Sequence, residues 1–217
     1  MISPKLYRSS HLYDFFMKSL GYESSIDRFL QSLTINVPAG GKILDAGCGT
    51  GLMGLHFAER FTNSQLVATD LEANFLDATL ANARKRGIQE DRITVGVADI
   101  SDPTKLSLPC GDDQTLHPES FDLVCVGAVI GYAKNTVETL QCLLSLLAPG
   151  GTLLNLEMNE SPTGRFVSHR YHYQNISLSQ MQDVITEQGC QLSVKKLSLS
   201  HLPARFTRTA LLATKPE

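Results

Sequence analysis

The stretch DAGCGTGLMG, Asp45 to Gly54, follows a short apolar run, KILDA, and leads into an amphipathic window, LMGLHFAERF. Glycines at 47, 49, 51 and 54, set between a strand-like and a helix-like segment, describe a tight turn whose backbone lies open to a ligand. Gly49, Gly51 and Gly54 satisfy the Gly-x-Gly-x-x-Gly spacing of a dinucleotide-binding turn, and Asp70 stands about twenty residues on, where a ribose-binding acid belongs. Asp45 opens a second reading. A carboxylate at the mouth of the turn repels a pyrophosphate and attracts an ammonium or sulfonium group, directly or through water. Free N–H groups at the start of the next helix can still face a ligand carboxylate.

From Gly41 onward, short apolar runs alternate with amphipathic windows, the pattern of βα units feeding a mostly parallel sheet. KILDA, QLVATD and ITVGVAD are predicted strands one to three, with a helix from about Glu72 to Arg86 closed by Gly87. Ser101 to Ser120 is polar and contains prolines, so it reads as loop or a short irregular helix. FDLVCVGAV is the fourth strand, Thr136 to Leu147 a helix stopped by PGG, and TLLNLEM the fifth strand. After an irregular stretch, Asn159 to Ser177, a helix runs from about Ser179 to Gln188. Two last strands, near Gln191 to His201 and Thr207 to Lys215, have too short a join for a parallel crossover and should pair antiparallel. Windows His11 to Leu20 and Ser25 to Leu33 predict a helical lid or flank over residues 1–38, before a main domain over 39–217.

A nucleoside carrying ammonium, carboxylate and sulfonium groups is S-adenosylmethionine (SAM), and DAGCGTG resembles the first motif of class I SAM-dependent methyltransferases. The resemblance runs in order from about Gly41 to Met158 and more loosely through the last two strands. It implies a Rossmann-like, doubly wound α/β fold with a seven-stranded sheet of order 3-2-1-4-5-7-6, the last strand antiparallel. It further implies a cofactor seat made of Asp45, Gly47, Cys48, Gly49 and Gly51, with Asp70 on the ribose hydroxyls and Leu71 against adenine. Asp99 and Ile100 match the position that meets the adenine amino group and ring, and Gly127 ends the strand beside the methionine moiety. Cys48 reads as a small packed side chain, since nothing local marks it as a thiolate.

Methyl transfer from a sulfonium needs an in-line nucleophile about 3 Å from the methyl carbon and exclusion of water, so little of it is written in catalytic side chains. VGAVIGYAK after the fourth strand lacks the (Asp/Asn)-Pro-Pro-aromatic tetrapeptide that resembles amino-methylating enzymes of bases and glutamine. It also lacks the paired glutamates of arginine methyltransferases and the acid that begins the magnesium site of catechol-type enzymes. A small organic acceptor with an O, N or C nucleophile gains weight, with S-adenosylhomocysteine as product. The segment Gly164 to Asn175, GRFVSHRYHYQN, supplies candidate donors or bases in His172, His169 and Tyr171; Tyr132 and Tyr13 are further candidates. His169-x-x-His172 without a third ligand makes a poor metal site, and an ordinary polar loop or added strand remains open for the segment.

The chain has 217 residues and a net charge of −3, which suits one α/β domain. Its densest basic group, ARKRG at 83–87, sits where a helix ends and does not make a nucleic-acid footprint. The five cysteines show no CxxC pair, and no apolar run approaches ~20 residues, so a reduced, cytoplasmic protein, monomeric or homodimeric and without nucleic-acid or membrane partners, is expected. An NAD(P)-dependent oxidoreductase and a non-catalytic SAM-binding module are the rival readings.

Overall fold

The computed structural model describes residues 21–217; the window His11 to Leu20 and Tyr13 lie outside them. Helix α1, Tyr22–Gln31, precedes β1, Lys42–Ala46, and the glycine turn then feeds α2, Leu52–Arg60. Next come β2, Gln65–Asp70, α3, Ala73–Lys85, and β3, Ile93–Val97. Two short strands follow, β4, Lys105–Ser107, and β5, Asp113–Thr115. The second half contains β6, Phe121–Val126, α4, Thr136–Ser145, β7, Leu147–Met158, and α5, Pro162–Arg170. It closes with α6, Leu178–Glu187, β8, Gln191–Lys195, and β9, Arg208–Thr214.

Among the described residues, nine strands form one sheet of order β5-β4-β3-β2-β1-β6-β7-β9-β8. The seven expected strands keep the expected order, and β9 runs antiparallel to both neighbours. The count is corrected from seven to nine, because Lys105 to Thr115 forms an antiparallel hairpin at the sheet edge where loop or irregular helix was expected. With Leu106 its only buried residue, this hairpin shows no apolar alternation to read. Gly96 makes room for that leucine, since a Cβ there would lie 2.5 Å from its Cδ1.

Apolar runs rather than alternation mark β1, β6 and β7 because both faces of the sheet are covered. Ile43, Leu123 and Leu154 face the layer of α1, α2 and α3, while Leu44, Val124 and Leu153 face that of α4 and α6. The fifth expected strand starts earlier than TLLNLEM. Pairing with β6 begins at Leu147 and the register then shifts, so LAPGG bulges out of the strand and does not merely stop a helix.

Two further boundaries differ from expectation. Residues 162–170, expected to be irregular, form α5, started by Ser161, whose Oγ accepts from Gly164 N at 3.0 Å, with Pro162 in the first turn. The sixth expected strand ends at Lys195, and the connection to β9 is two 3-10 turns rather than a short join. This connection is gripped by α1: Ser25 Oγ donates to His201 O at 2.8 Å and accepts from Ala204 N at 3.0 Å. Ile26, Phe29 and Leu30 of α1 sit in the same core as Ile43 and Leu55. Among the described residues, no helix is long and apolar enough to cross a membrane.

Candidate functional site

Strand periodicity places Asp45 on the face covered by α2, together with Ile43. Its Oδ2 accepts from Gly54 N at 2.7 Å, tying the end of β1 to the first turn of α2. That approach requires glycine, because a Cβ on Gly54 would stand 2.7 Å from both Asp45 Cβ and Oδ2. Asp45 is buried, and the loss of water pushes its carboxyl up to about 7 against the opposing pull of the Gly54 amide.

Between these anchors the chain turns through Gly47, Gly49 and Gly51, all at positive φ. Two side chains of α3 brace the turn from behind: Thr79 Oγ1 donates to Gly49 O at 3.0 Å and Asn82 Nδ2 to Thr50 O at 3.1 Å. Asp70, at the end of β2, accepts from Gly49 N at 2.8 Å through Oδ2 and from Glu72 N at 3.1 Å through Oδ1. Burial raises its carboxyl above the ordinary value despite these bonds. Cys48 is buried within the turn, its amide donating to Thr69 O at 2.8 Å, and burial pushes its thiol well up, as suits packing rather than nucleophilic attack.

Two cavities meet across the turn, both lined by Gly47, Gly49 and Gly127. The larger holds about 390 Å³ and is lined on one side by Asp70, Leu71, Glu72, Asp99 and Ile100. Leu71 is 62% exposed there, an apolar side chain offered to the cavity instead of the core. The amide of Ser101 donates to Asp99 Oδ1 at 2.8 Å and holds that carboxyl below its usual range. The smaller cavity, about 80 Å³, is lined by Asp45, Cys48, Met53, Leu156 and Arg208, with Glu23 and Ile26 of α1 over it.

The other wall of the larger cavity comes from the second half of the chain: Ala128, Val129 and Tyr132 after β6, and Arg170, Tyr171 and His172 after α5. Ala128 and His172 both have positive φ, 51° and 54°, conformations that cost energy for side chains other than glycine and often mark built sites. The segment after α5 is pinned to the β6 turn by Gln174 N donating to Gly131 O at 3.1 Å. Tyr173 packs edge-on to Tyr132, with ring centroids 5.0 Å apart, and its hydroxyl donates to the buried Glu157 at the end of β7. Burial pushes the Glu157 carboxyl up, and among the described residues its Oε2 has no partner.

Of the residues singled out in the sequence, Gly47, Gly49, Asp70, Leu71, Asp99, Ile100, Gly127, Tyr132, Tyr171 and His172 therefore converge on one cavity. Asp45 and Cys48 line only the smaller one. Gly51 lines neither; it lies at the N-cap of α2, against Leu55 and Thr79. His169 is exposed and off both walls. Thr79, Asn82, Arg170 and Arg208 were missed. Thr79 and Asn82 lie three apart on one helix face, a legible spacing once the helix is given a partner; Arg170 lay within the singled-out segment Gly164 to Asn175 without a role of its own, and Arg208 carried no local mark. Among the described residues, no three His, Cys, Asp or Glu side chains gather as a metal-binding group.

Residues 44–153, about half of the chain, match the family described as methyltransferase domain. A ubiquinone biosynthesis O-methyltransferase of Xanthomonas euvesicatoria pv. vesicatoria is 27% identical over 124 residues, 57% of this chain and 46% of that protein. A malonyl-[acyl-carrier protein] O-methyltransferase of Priestia megaterium is 28% identical over 113 residues, 52% of this chain and 35% of the relative. The chain thus spans less than half the length of these curated relatives. Among solved structures, an O-methyltransferase family protein of Burkholderia thailandensis superposes with a TM-score of 0.72 at 14% identity, over 96% of this chain and 60% of that one, a likeness of fold.

Proposed function

The chain belongs to the SAM-dependent methyltransferase family, and from that premise we propose that it transfers the SAM methyl group to an O, N or C nucleophile of a small organic molecule. The observation that carries this reading is the pair of cavities joined over the glycine turn: a larger one with a carboxylate and an apolar platform, a smaller one with a buried acid. The residues present fit the cofactor. Gly47 and Gly49 keep side chains out of its path, Asp70 would hold the ribose hydroxyls, Leu71 and Ile100 would flank adenine, and Asp45 would face the cationic amino-acid end.

When bound, SAM supplies an electrophilic methyl on sulfur, which a lone pair of the acceptor displaces in line. The protein's own task is orientation and exclusion of water. Tyr132 and the 170–172 wall would close the acceptor side, and His172, turned into the larger cavity, would take the proton from an acceptor that arrives protonated. The O-methyltransferase relatives favour an oxygen nucleophile within this range.

Asp70→Ala is expected to weaken SAM binding by about 1–3 kcal/mol, because it removes the ribose partner and leaves the Gly49 amide without its acceptor. Calorimetric titration checks this, and an unchanged affinity would remove Asp70 from the seat. His172→Ala is expected to slow turnover at least fivefold while SAM affinity stays within twofold. Full activity on the acceptor would return His172 to an ordinary wall residue. The reading as a whole is tested by incubating the protein with methyl-labelled SAM and a small-molecule extract: label should pass to one or a few compounds below 1 kDa. Label only in protein or RNA, or none in any fraction despite SAM binding, would overturn it, the latter in favour of a non-catalytic module.

A further inference from the structure

The larger cavity is electrically divided. Its carboxylates, Asp70, Glu72 and Asp99, come from the ends of β2 and β3, on the side proposed for adenosine. Its cation-capable side chains, Arg170 and His172, come from the segment after α5, on the side left for the acceptor. The surroundings of that second side are basic too, although the whole chain has a net charge of −3. From 159 to 173 there are Arg165, Arg170, His169 and His172 against Glu160, while Glu157, just before them, is buried and engaged by the Tyr173 hydroxyl. Glu160 is already engaged, 3.8 Å from Arg165. Among the described residues, Arg170 makes no side-chain hydrogen bond or ion pair, and it is only half-exposed.

A guanidinium kept half out of water and without a carboxylate partner, on the wall of a cavity, is poised for an oxyanion, which it binds through two parallel N–H donors. The carboxylates at the other end would repel the same group and so fix which way round the acceptor enters. Resting on the methyltransferase reading, we propose that the acceptor is a small organic anion, bearing a carboxylate or phosphate that Arg170 binds, with its nucleophilic atom directed toward Gly127 and the methyl group. In the transfer, the nucleophile's lone pair forms the new bond to the methyl carbon. The carbon–sulfur pair stays on sulfur, and any proton on the nucleophile passes to His172 or water. The anionic group is unchanged throughout and serves only for recognition.

The test uses the full chain saturated with S-adenosylhomocysteine, whose own affinity is measured first. Matched pairs of small hydroxylated molecules are then titrated by ligand-observed NMR: 4-hydroxybenzoate with 4-hydroxybenzamide, glycerol 3-phosphate with glycerol, and 3-hydroxybutyrate with its amide. At least one anion should bind ten times or more tighter than its neutral twin. In Arg170→Gln that ratio should fall below three, with S-adenosylhomocysteine affinity within threefold, and Arg170→Lys should restore part of it. Equal binding of the twins, no binding by any of the anions, or a preference that survives in Arg170→Gln would overturn the inference. If the wild-type protein fails to bind S-adenosylhomocysteine, the underlying reading falls as well, so the two failures are told apart.

Discussion

Asp45→Asn will make the unliganded protein more stable at pH 8 and at the same time weaken SAM binding ten- to a hundredfold. Both effects come from one carboxyl. Its folded-state value is about 7 against an ordinary 3.8, chiefly because burial penalises the charged form. At ~1.4 kcal/mol per unit, keeping it ionised above pH 7 costs at most about 4 kcal/mol. An asparagine oxygen can still accept from the Gly54 amide, so most of the local geometry survives without the charge; a gain of about 1–3 kcal/mol is expected by denaturant unfolding.

The sign follows from proton binding. Between about pH 4 and 7 the folded state holds a proton on Asp45 that the unfolded state has released, so stability falls as pH rises through that window. Asp70 and Glu157, also raised, act in the same direction, and Asp45→Asn should flatten the slope without abolishing it. SAM would reverse the balance at Asp45, since its cationic end favours the ionised form. Affinity should therefore rise with pH up to about 7, by as much as tenfold per unit, and the variant should lose this dependence. A variant with wild-type affinity and wild-type pH profile would show that the buried acid serves only to tie β1 to α2.

Gly54→Ala should be strongly disruptive although it adds a single methyl group. Elsewhere in a helix the change to alanine stabilises by roughly 1 kcal/mol. Here the added Cβ would meet Asp45 Cβ and Oδ2 at 2.7 Å and Leu66 Cδ1 at 3.0 Å. Asp45 is short, buried and hydrogen-bonded, and has no room to retreat. The first turn of α2 must move instead, drawing with it the turn that lines both cavities. A loss of about 2–4 kcal/mol in stability and at least tenfold in SAM affinity is expected, read by chemical unfolding and calorimetry. Alanine tolerated at this position with both quantities intact would mean that the helix does not abut the acid.

How far the sequence led depended on which face of each element carried information. KILDA, QLVATD and FDLVCVGAV were legible as strands because both faces of β1, β2 and β6 are buried, and long apolar runs between turn residues have few other readings. The β4–β5 hairpin was not, because it buries little besides Leu106. Helix α5 buries only Gly164 and Ser168, so it had no amphipathic stripe; its one signal, Ser161 followed by Pro162, is a start mark that went unread. In the site, the acids ending β1 and β2 stood out because motif spacing binds them to the turn. Arg170 and Arg208 reach the same cavities from distant segments, a convergence no local pattern records.

Calorimetric titration of the unliganded protein with SAM, S-adenosylhomocysteine and NADPH at pH 7.5, with SAM repeated at pH 6, tests the central claim most directly. A buried acid behind a glycine turn should choose a cationic amino-acid nucleoside over a polyanion. SAM and S-adenosylhomocysteine should bind, SAM more weakly at pH 6 and with proton release there, while NADPH gives no heat of binding. Tight NADPH binding with silence toward SAM, or SAM binding with no proton linkage, would contradict the account.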